Sequence, residues 1–399
     1  MSDRRILFAT AFVRAVGVGM IGVLLGLHLA AVGLDPAMLG GVVAAGLAGG
    51  ATASLLVTLG GDRLGRRRTL LVLALASGLG GVALAFFSDP WLLAVTAFVG
   101  MANGMGRDRG AALVVEQAIL PATVGDAERT QAFAWYNVLQ DTGHAIGSLA
   151  AGLPVAFAAA GADALGASRL AVLVTAGLAL ATAGLYLRLS PTVELGAPAR
   201  LTVSPATRGI LTKISALFAL DALGGGFLTT SLLSYFFATR FGASAATIGG
   251  LFFLARVANA LSHFAAAWLA RRIGLVNTMV FTHIPSSLLL VTVAIAPNFP
   301  IAACLFVLRE GLVEMDVPTR QSYVLAVVRP EERTVASGVT SLVRLAAWAV
   351  APTFAGVFMQ EGSFAAPLVV GAAMKITYDL LLWKAFRGVL PPEEHTRGA

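Results

Sequence analysis

Long apolar stretches follow one another along the whole chain, separated by short polar breaks. A helix of about 20 mostly apolar residues crosses the hydrocarbon core of a bilayer. Stretches of that kind predict spans at 6–32, 37–59, 69–88, 91–119, 130–160, 168–188, 210–240, 245–269, 275–297, 300–326, 333–359 and 363–387. The breaks carry turn residues: Gly33-Leu34-Asp35-Pro36, Ser88-Asp89-Pro90 and Pro297-Asn298-Phe299-Pro300. The longest polar stretch, 189–209, holds Pro191, Glu194, Pro198, Arg200, Pro205 and Arg208. It predicts a cytoplasmic linker between an N-terminal six-helix bundle (1–188) and a C-terminal one (210–399). The expected fold class is therefore all-α: twelve transmembrane helices in two bundles.

Composition leaves no room for a soluble domain. Of 399 residues, 57% are apolar and 12% charged, against about 45–50% and 25% in soluble domains. The net charge of +7 is distributed as orienting charge, not as a nucleic-acid surface. With the N-terminus inside, inner loops and tails hold eighteen Lys and Arg residues and outer loops only Arg169 and Arg240. This positive-inside bias predicts both termini in the cytoplasm. The lone cysteine, Cys304, lies in an apolar stretch, where a packing role is expected.

The halves repeat. Asp126-Ala127-Glu128-Arg129-Thr130 returns as Pro330-Glu331-Glu332-Arg333-Thr334, 204 positions on. The same offset sets Glu116 opposite Arg320 and Gln140 opposite Arg344. An offset of 207 pairs Gly17 and Gly19 with Gly224 and Gly226, and Arg14 with Asp221. A duplicated six-helix unit follows, an arrangement common in transporters, whose substrate sites lie between repeats.

After the second predicted span the chain reads Gly60-Gly61-Asp62-Arg63-Leu64-Gly65-Arg66-Arg67-Arg68. Gly65 permits a tight reversal, and the arginines hold the loop at the inner surface. This segment resembles the G-x-x-x-D-R-x-G-R-R signature of the major facilitator superfamily, with Thr58 at the first glycine. The resemblance implies a gating loop built from Asp62, Arg63, Gly65 and Arg66, with the acid latching the halves on the cytoplasmic side. A plain orienting loop is the alternative. Span five, from Gly143 to Gly152, is similar to the small-residue pattern of antiporter members but has Ser148 at the proline. Close helix packing would produce the same small residues. Gly17-Val18-Gly19-Met20-Ile21-Gly22 fits a dinucleotide fingerprint, but no strand precedes it, so helix packing is expected there.

Ionisable residues inside spans carry the functional information. A charge at the bilayer centre costs about 2.5–3.5 kcal/mol or more, so it faces protein or water. At about 100° per residue, Arg309, Asp316 and Arg320 share one face of span ten, with Glu310 and Glu314 on a second stripe. Arg109 and Glu116 share a face of span four. Asn137, Gln140, Asp141 and His144 occupy one arc of span five. Lys375 and Asp379, one turn apart, are expected to pair with each other.

Buried carboxylates that change exposure can exchange protons. The candidates are Asp221, Glu314, Asp316, Asp108, Glu116 and Asp141. Candidates for the substrate cavity are Arg14, Arg109, Asn137, Gln140, His144, Arg309, Arg320 and Arg344. The expected function is a secondary transporter of the drug- or metabolite-efflux kind, in the inner membrane. It would be proton-coupled, move a small organic compound by alternating access, and work as a monomer. An anionic metabolite held by the arginines is the alternative. The sequence carries no P-loop, no H-E-x-x-H, no G-x-S-x-G and no metal-ligand cluster. Neither an enzyme nor a cofactor is expected, and a membrane enzyme is the remote alternative.

Overall fold

A computed structural model of the chain describes residues 2–125, 128–194, 204–316, 320, 328 and 332–386. Within them, the side chains of residues 60–63, 129–130, 206, 263–264, 267 and 333–335 lie outside the description. All regular structure among the described residues is helical. The helices are α1 (Asp3–Val32), α2 (Pro36–Leu64), α3 (Arg66–Phe86), α4 (Pro90–Gly100), α5 (Ala111–Ile119), α6 (Arg129–Ala150), α7 (Leu153–Ala159) and α8 (Ala164–Tyr186). They continue as α9 (Pro205–Gly226), α10 (Thr230–Phe241), α11 (Ala245–Ile273), α12 (Leu275–Ala294), α13 (Phe299–Val313), α14 (Arg333–Glu361) and α15 (Ala366–Phe386). Ten segments among the described residues are long and apolar enough to cross a membrane. Two shorter apolar helices, Pro90–Gly100 and Ala111–Thr123, fill the fourth predicted span.

The starts of the helices follow from local chemistry. Asp35, Asp89 and Asn298 each accept the backbone N–H three residues on, with a proline at the first turn. Gly65 ends α2 at φ 86°, the conformation its missing Cβ permits. The fingerprint-like glycines serve packing. A Cβ on Gly19 would strike the backbone of His144 on α6, and one on Gly22 would strike Gly106.

The fourth predicted span is not one helix. Residues 101–110 leave the helical path between α4 and α5, with Met101 at φ 51° and Gly106 at φ 65°. Irregular backbone at membrane depth persists only where its polar groups find partners. Asn103 supplies several: its amide donates to Arg107 O and its carbonyl accepts from Met105 N. The first turn of α10 supplies more, as Ser231 N donates to Gly104 O and Thr230 Oγ1 to Met105 O. Glycines at 104, 106 and 110, with polar Asn103 and Asp108, bias this stretch away from the helix. The tenth span follows the helix only to Val313, with Glu314 and Met315 in a turn. Pro318, a proline expected to bend this span, lies outside the described residues.

The chain separates into two compact units. One comprises residues 1–198 with 229–253 and 352–362; the other comprises 199–228, 254–351 and 363–399. In the first, an apolar cluster of Ile6, Leu7, Leu70, Ile119, Tyr136 and Tyr186 ties α1, α3, α5, α6 and α8 together. In the second, Ile214, Phe218, Met279, Ala336, Tyr378 and Leu382 do the same for α9, α12, α14 and α15.

Candidate functional site

Each unit encloses a cluster of buried charges. In the first, Arg14 of α1 is the hub. Its Nε lies 2.5 Å from Asp108 Oδ2 and its Nη2 lies 2.7 Å from Glu116 Oε2. Its Nη1 also donates to Tyr186 Oη at 2.8 Å. Glu116, 0% exposed, accepts from four donors: Arg14, Thr10 (2.5 Å), Tyr136 (2.5 Å) and Tyr186 (2.7 Å). The break between α4 and α5 aims Asp108 at this cluster. Its carboxylate also accepts from Gly110 N and, at 3.5 Å, from Gln140 Nε2. Its own N–H donates to His144 Nε2 at 2.9 Å, which fixes the proton of a neutral ring on Nδ1.

In the second unit the hub is an anion. Asp221 of α9 lies 2.7 Å from Lys375 Nζ, 3.2 Å from Arg344 Nη1 and 3.3 Å from Arg320 Nη1. Arg320 also meets Asp316 at 2.5 Å. Both arginines lie over the Phe218 ring, at 5.3 and 5.8 Å from its centroid. Lys375 Nζ stands 3.4 Å from His283 Nε2, and His283 Nδ1 stands 3.0 Å from both carboxylate oxygens of Asp379. A separate pair joins Arg309 to Glu310, whose carboxylate also accepts from Asn259 at 2.9 Å.

Several residues singled out in the sequence thus come together: Arg14, Asp108, Glu116, Gln140 and His144 in one cluster, Asp221, Asp316, Arg320 and Arg344 in the other. Others do not. Asn137 and Asp141 are exposed while Gln140 and His144 point inward, so the predicted arc of α6 is split. Arg309 pairs with its sequence neighbour rather than with Asp316, because the turn after Val313 breaks the helical count between them. Lys375 and Asp379 do not pair with each other but take Asp221 and His283. Arg109 is half-buried in the break, and Glu314 is half-buried in the turn after α13. In the loop after α2, the side chains of Asp62 and Arg63 lie outside the described set. The N–H groups of Arg66 and Arg67, the first turn of α3, donate to the carboxylate of Glu194 at 2.6 and 3.2 Å.

Sequence reasoning missed Thr10, Tyr136, Tyr186 and His283. Tyr136 was within reach, since it stands four and eight residues before Gln140 and His144 on one face of α6. His283 stands in a span without Asp, Glu, Lys or Arg, which hid it as a core residue.

The family model of the Major Facilitator Superfamily matches residues 7–352. An uncharacterized membrane protein of Saccharomyces cerevisiae is 25% identical over 97% of this chain and 94% of its own length. Among solved structures, a mutant of the nucleoside transporter NupG aligns with a TM-score of 0.78 and 14% identity, over 96% of this chain and 100% of its own. The xylose transporter XylE from E. coli aligns at 0.72 and 14% identity, over 98% and 99%. At such identity these two speak for the fold.

Proposed function

The chain belongs to the Major Facilitator Superfamily, and from that premise we propose that it is a proton-coupled secondary transporter exporting small organic compounds by alternating access. It is a multi-pass membrane protein. The observation that carries the proposal is the buried charge cluster in each unit, with hubs at the repeat-related Arg14 and Asp221. A carboxylate whose cationic partners sit on other helices is a switch. Protonating it releases those partners, and helices held together by them can move.

Asp221 is the carboxylate we place in that role. Its cations come from three segments besides its own: the end of the tenth span, α14 and α15. Glu116 serves as a fixed anchor, because four donors already saturate it. The anionic-metabolite reading is less favoured. Arg14, Arg309, Arg320 and Arg344 each already face a carboxylate of the chain. Asp62 and the Gly65–Arg66 turn act as the cytoplasmic gate in this reading, with both termini on the same side of an inner membrane and one chain sufficient.

The test is transport by the purified protein. A thermal-shift screen across nucleosides, pentoses, organic anions and drug cations selects solutes, and sided flux in proteoliposomes measures movement of each hit under an imposed pH gradient. Solute moving out against its gradient as protons run in supports the proposal. Flux indifferent to the gradient, or uptake into the cytoplasmic compartment, overturns it.

A further inference from the structure

Two groups in the second unit have no role in a switch centred on Asp221. Asp379 is 0% exposed and His283 1% exposed. The hydrogen-bond partner of Asp379 among the described residues is the Nδ1 of His283, at 3.0 Å. An ionised carboxylate whose hydrogen-bond partner is a neutral imidazole is costly in a low-dielectric interior, and the cation beyond that ring, Lys375, is already paired with Asp221. One proton resolves this, whether it rests on the ring or on the carboxyl. The pair is therefore built to hold one proton.

The other face of the ring reads that proton out. Lys375 Nζ, a donor only, stands 3.4 Å from His283 Nε2 and 2.7 Å from Asp221 Oδ1. Asp221 Oδ1 itself lies 3.9 Å from His283 Nε2. While Nε2 is unprotonated it can accept from Lys375. Once Nε2 carries a proton it repels Lys375 and becomes a donor to Asp221, which must then share itself differently among Lys375, Arg320 and Arg344.

We propose that His283 and Asp379 form a second proton-binding site of this transporter, and that Lys375 passes its occupancy to Asp221, the carboxylate of the switch. This rests on the proton-coupled reading above and adds a site to it. The groups facing the pair are accounted for on each neighbouring element. Helix α15 brings Lys375, Tyr378 and Asp379, α9 brings Asp221, and the end of the tenth span and α14 bring the arginines that face Asp221, Arg320 and Arg344. Helix α13 carries Arg309 and Glu310, which pair with each other, and Glu310 also accepts from Asn259 of α11. Tyr378 meets the His283 ring edge-on at 6.1 Å. The hydroxyls of Tyr378, Ser286 and Ser287 are buried without a hydrogen-bond partner among the described residues. Buried hydroxyls of that kind are where water enters a path for protons.

The proton step is an exchange with bulk water: hydronium gives one proton to the pair and leaves as water, and the reverse step returns it. Infrared difference spectra of the purified full chain between pH 5 and pH 8.5 read it directly. We expect one titrating imidazole–carboxyl signal, present in the wild type and in Asp141→Asn, and lost in both His283→Gln and Asp379→Asn. The double variant carries a neutral, hydrogen-bonding pair and keeps the fold if either single variant loses it. Lys375→Met should move the midpoint up, and Asp221→Asn should move it down, each by about one pH unit or more, a tenfold change in proton affinity. A signal that survives in the folded double variant, or midpoints that ignore Lys375 and Asp221, overturns the proposal. The two readings fail separately. If wild-type flux ignores the pH gradient while this signal behaves as described, the proton-coupled reading falls and the proton site stands. If flux is pH-driven and the double variant retains it with the same proton stoichiometry, this site is wrong and the coupling stands.

Discussion

The two clusters are built on related positions and have opposite polarity. In the first unit a cation, Arg14, is held by Asp108 and Glu116; in the second an anion, Asp221, is held by Lys375, Arg320 and Arg344. Positions 14 and 221 correspond by the repeat, as do 116 and 320. Both members of the corresponding contact have changed sign. The attraction between the first and fourth helices of each repeat is kept, and the charge that carries it is free to differ. The clusters also differ in saturation. Glu116 is closed off by tyrosine and threonine hydroxyls, whereas Asp221 shares itself among three cations. A saturated anion makes a fixed point, and a contested one makes a switch.

The comparison breaks most visibly if one sign is changed alone. Asp221→Arg would gather four cations in a buried site, and breaking a buried pair costs about 3–5 kcal/mol. We expect no folded protein in detergent by size-exclusion chromatography. Adding Arg320→Glu to that variant copies the polarity of Arg14 and Glu116, and should return a monodisperse peak. If the single variant folds as the wild type does, the hub contributes no cohesion.

Saturation separates the acids next. Glu116→Gln leaves donors around a weaker acceptor and should cost about 1–3 kcal/mol, read as a lower melting temperature. Among molecules that remain folded, flux should stay pH-driven. Asp221→Asn should instead lose about tenfold or more of its pH-driven flux, as expected for a proton-transfer group, while exchange of labelled for unlabelled solute survives. Equal behaviour of the two variants would remove the distinction between anchor and switch.

How much of this stood in the sequence can be judged residue by residue. Most of the apolar spans were legible because apolar length is a local signal, and a bilayer enforces it. Arg14, Asp108, Glu116 and Asp221 were legible as charges that a membrane would not tolerate without partners. Their partners were not. The expected Lys375–Asp379 pair rested on helical spacing alone, and spacing cannot show that α9 and α12 offer each of them a better counter-charge. Tyr186 was invisible because a tyrosine in an apolar span reads as core until its hydroxyl is seen to donate. The break at 101–110 lay open in its glycines, but an apolar run on both sides masked it.

A smaller effect is expected at the loop after α2. Asp62→Asn should fold with an unchanged melting temperature and transport about tenfold more slowly, since its proposed role is to hold one state of a gate whose population sets the rate. Wild-type flux in this variant would reduce the loop to an orienting signal. The carboxylate of Glu194 already serves the α3 N-terminus. Glu194→Gln should therefore act on stability, through a lost interaction of about 0.3–1 kcal/mol with the helix end.

The smallest effect falls on the half of the α6 arc that turned away. Asp141 and Asn137 are exposed, while Gln140 and His144 reach Asp108 from the same helix. If burial decides which acids matter, Asp141→Asn should leave both pH-driven flux and melting temperature at wild-type values. His144→Ala is the matched control. It removes the acceptor of Asp108 N–H and leaves a buried donor unpaired, at a cost of about 1–3 kcal/mol, so the melting temperature should fall. The two positions lie three residues apart on one helix and face opposite ways, one exposed and one buried. A loss of coupling in Asp141→Asn would show that the exposed side of α6 meets the proton path. The role of the first unit would then have to be redrawn around that face rather than around Arg14.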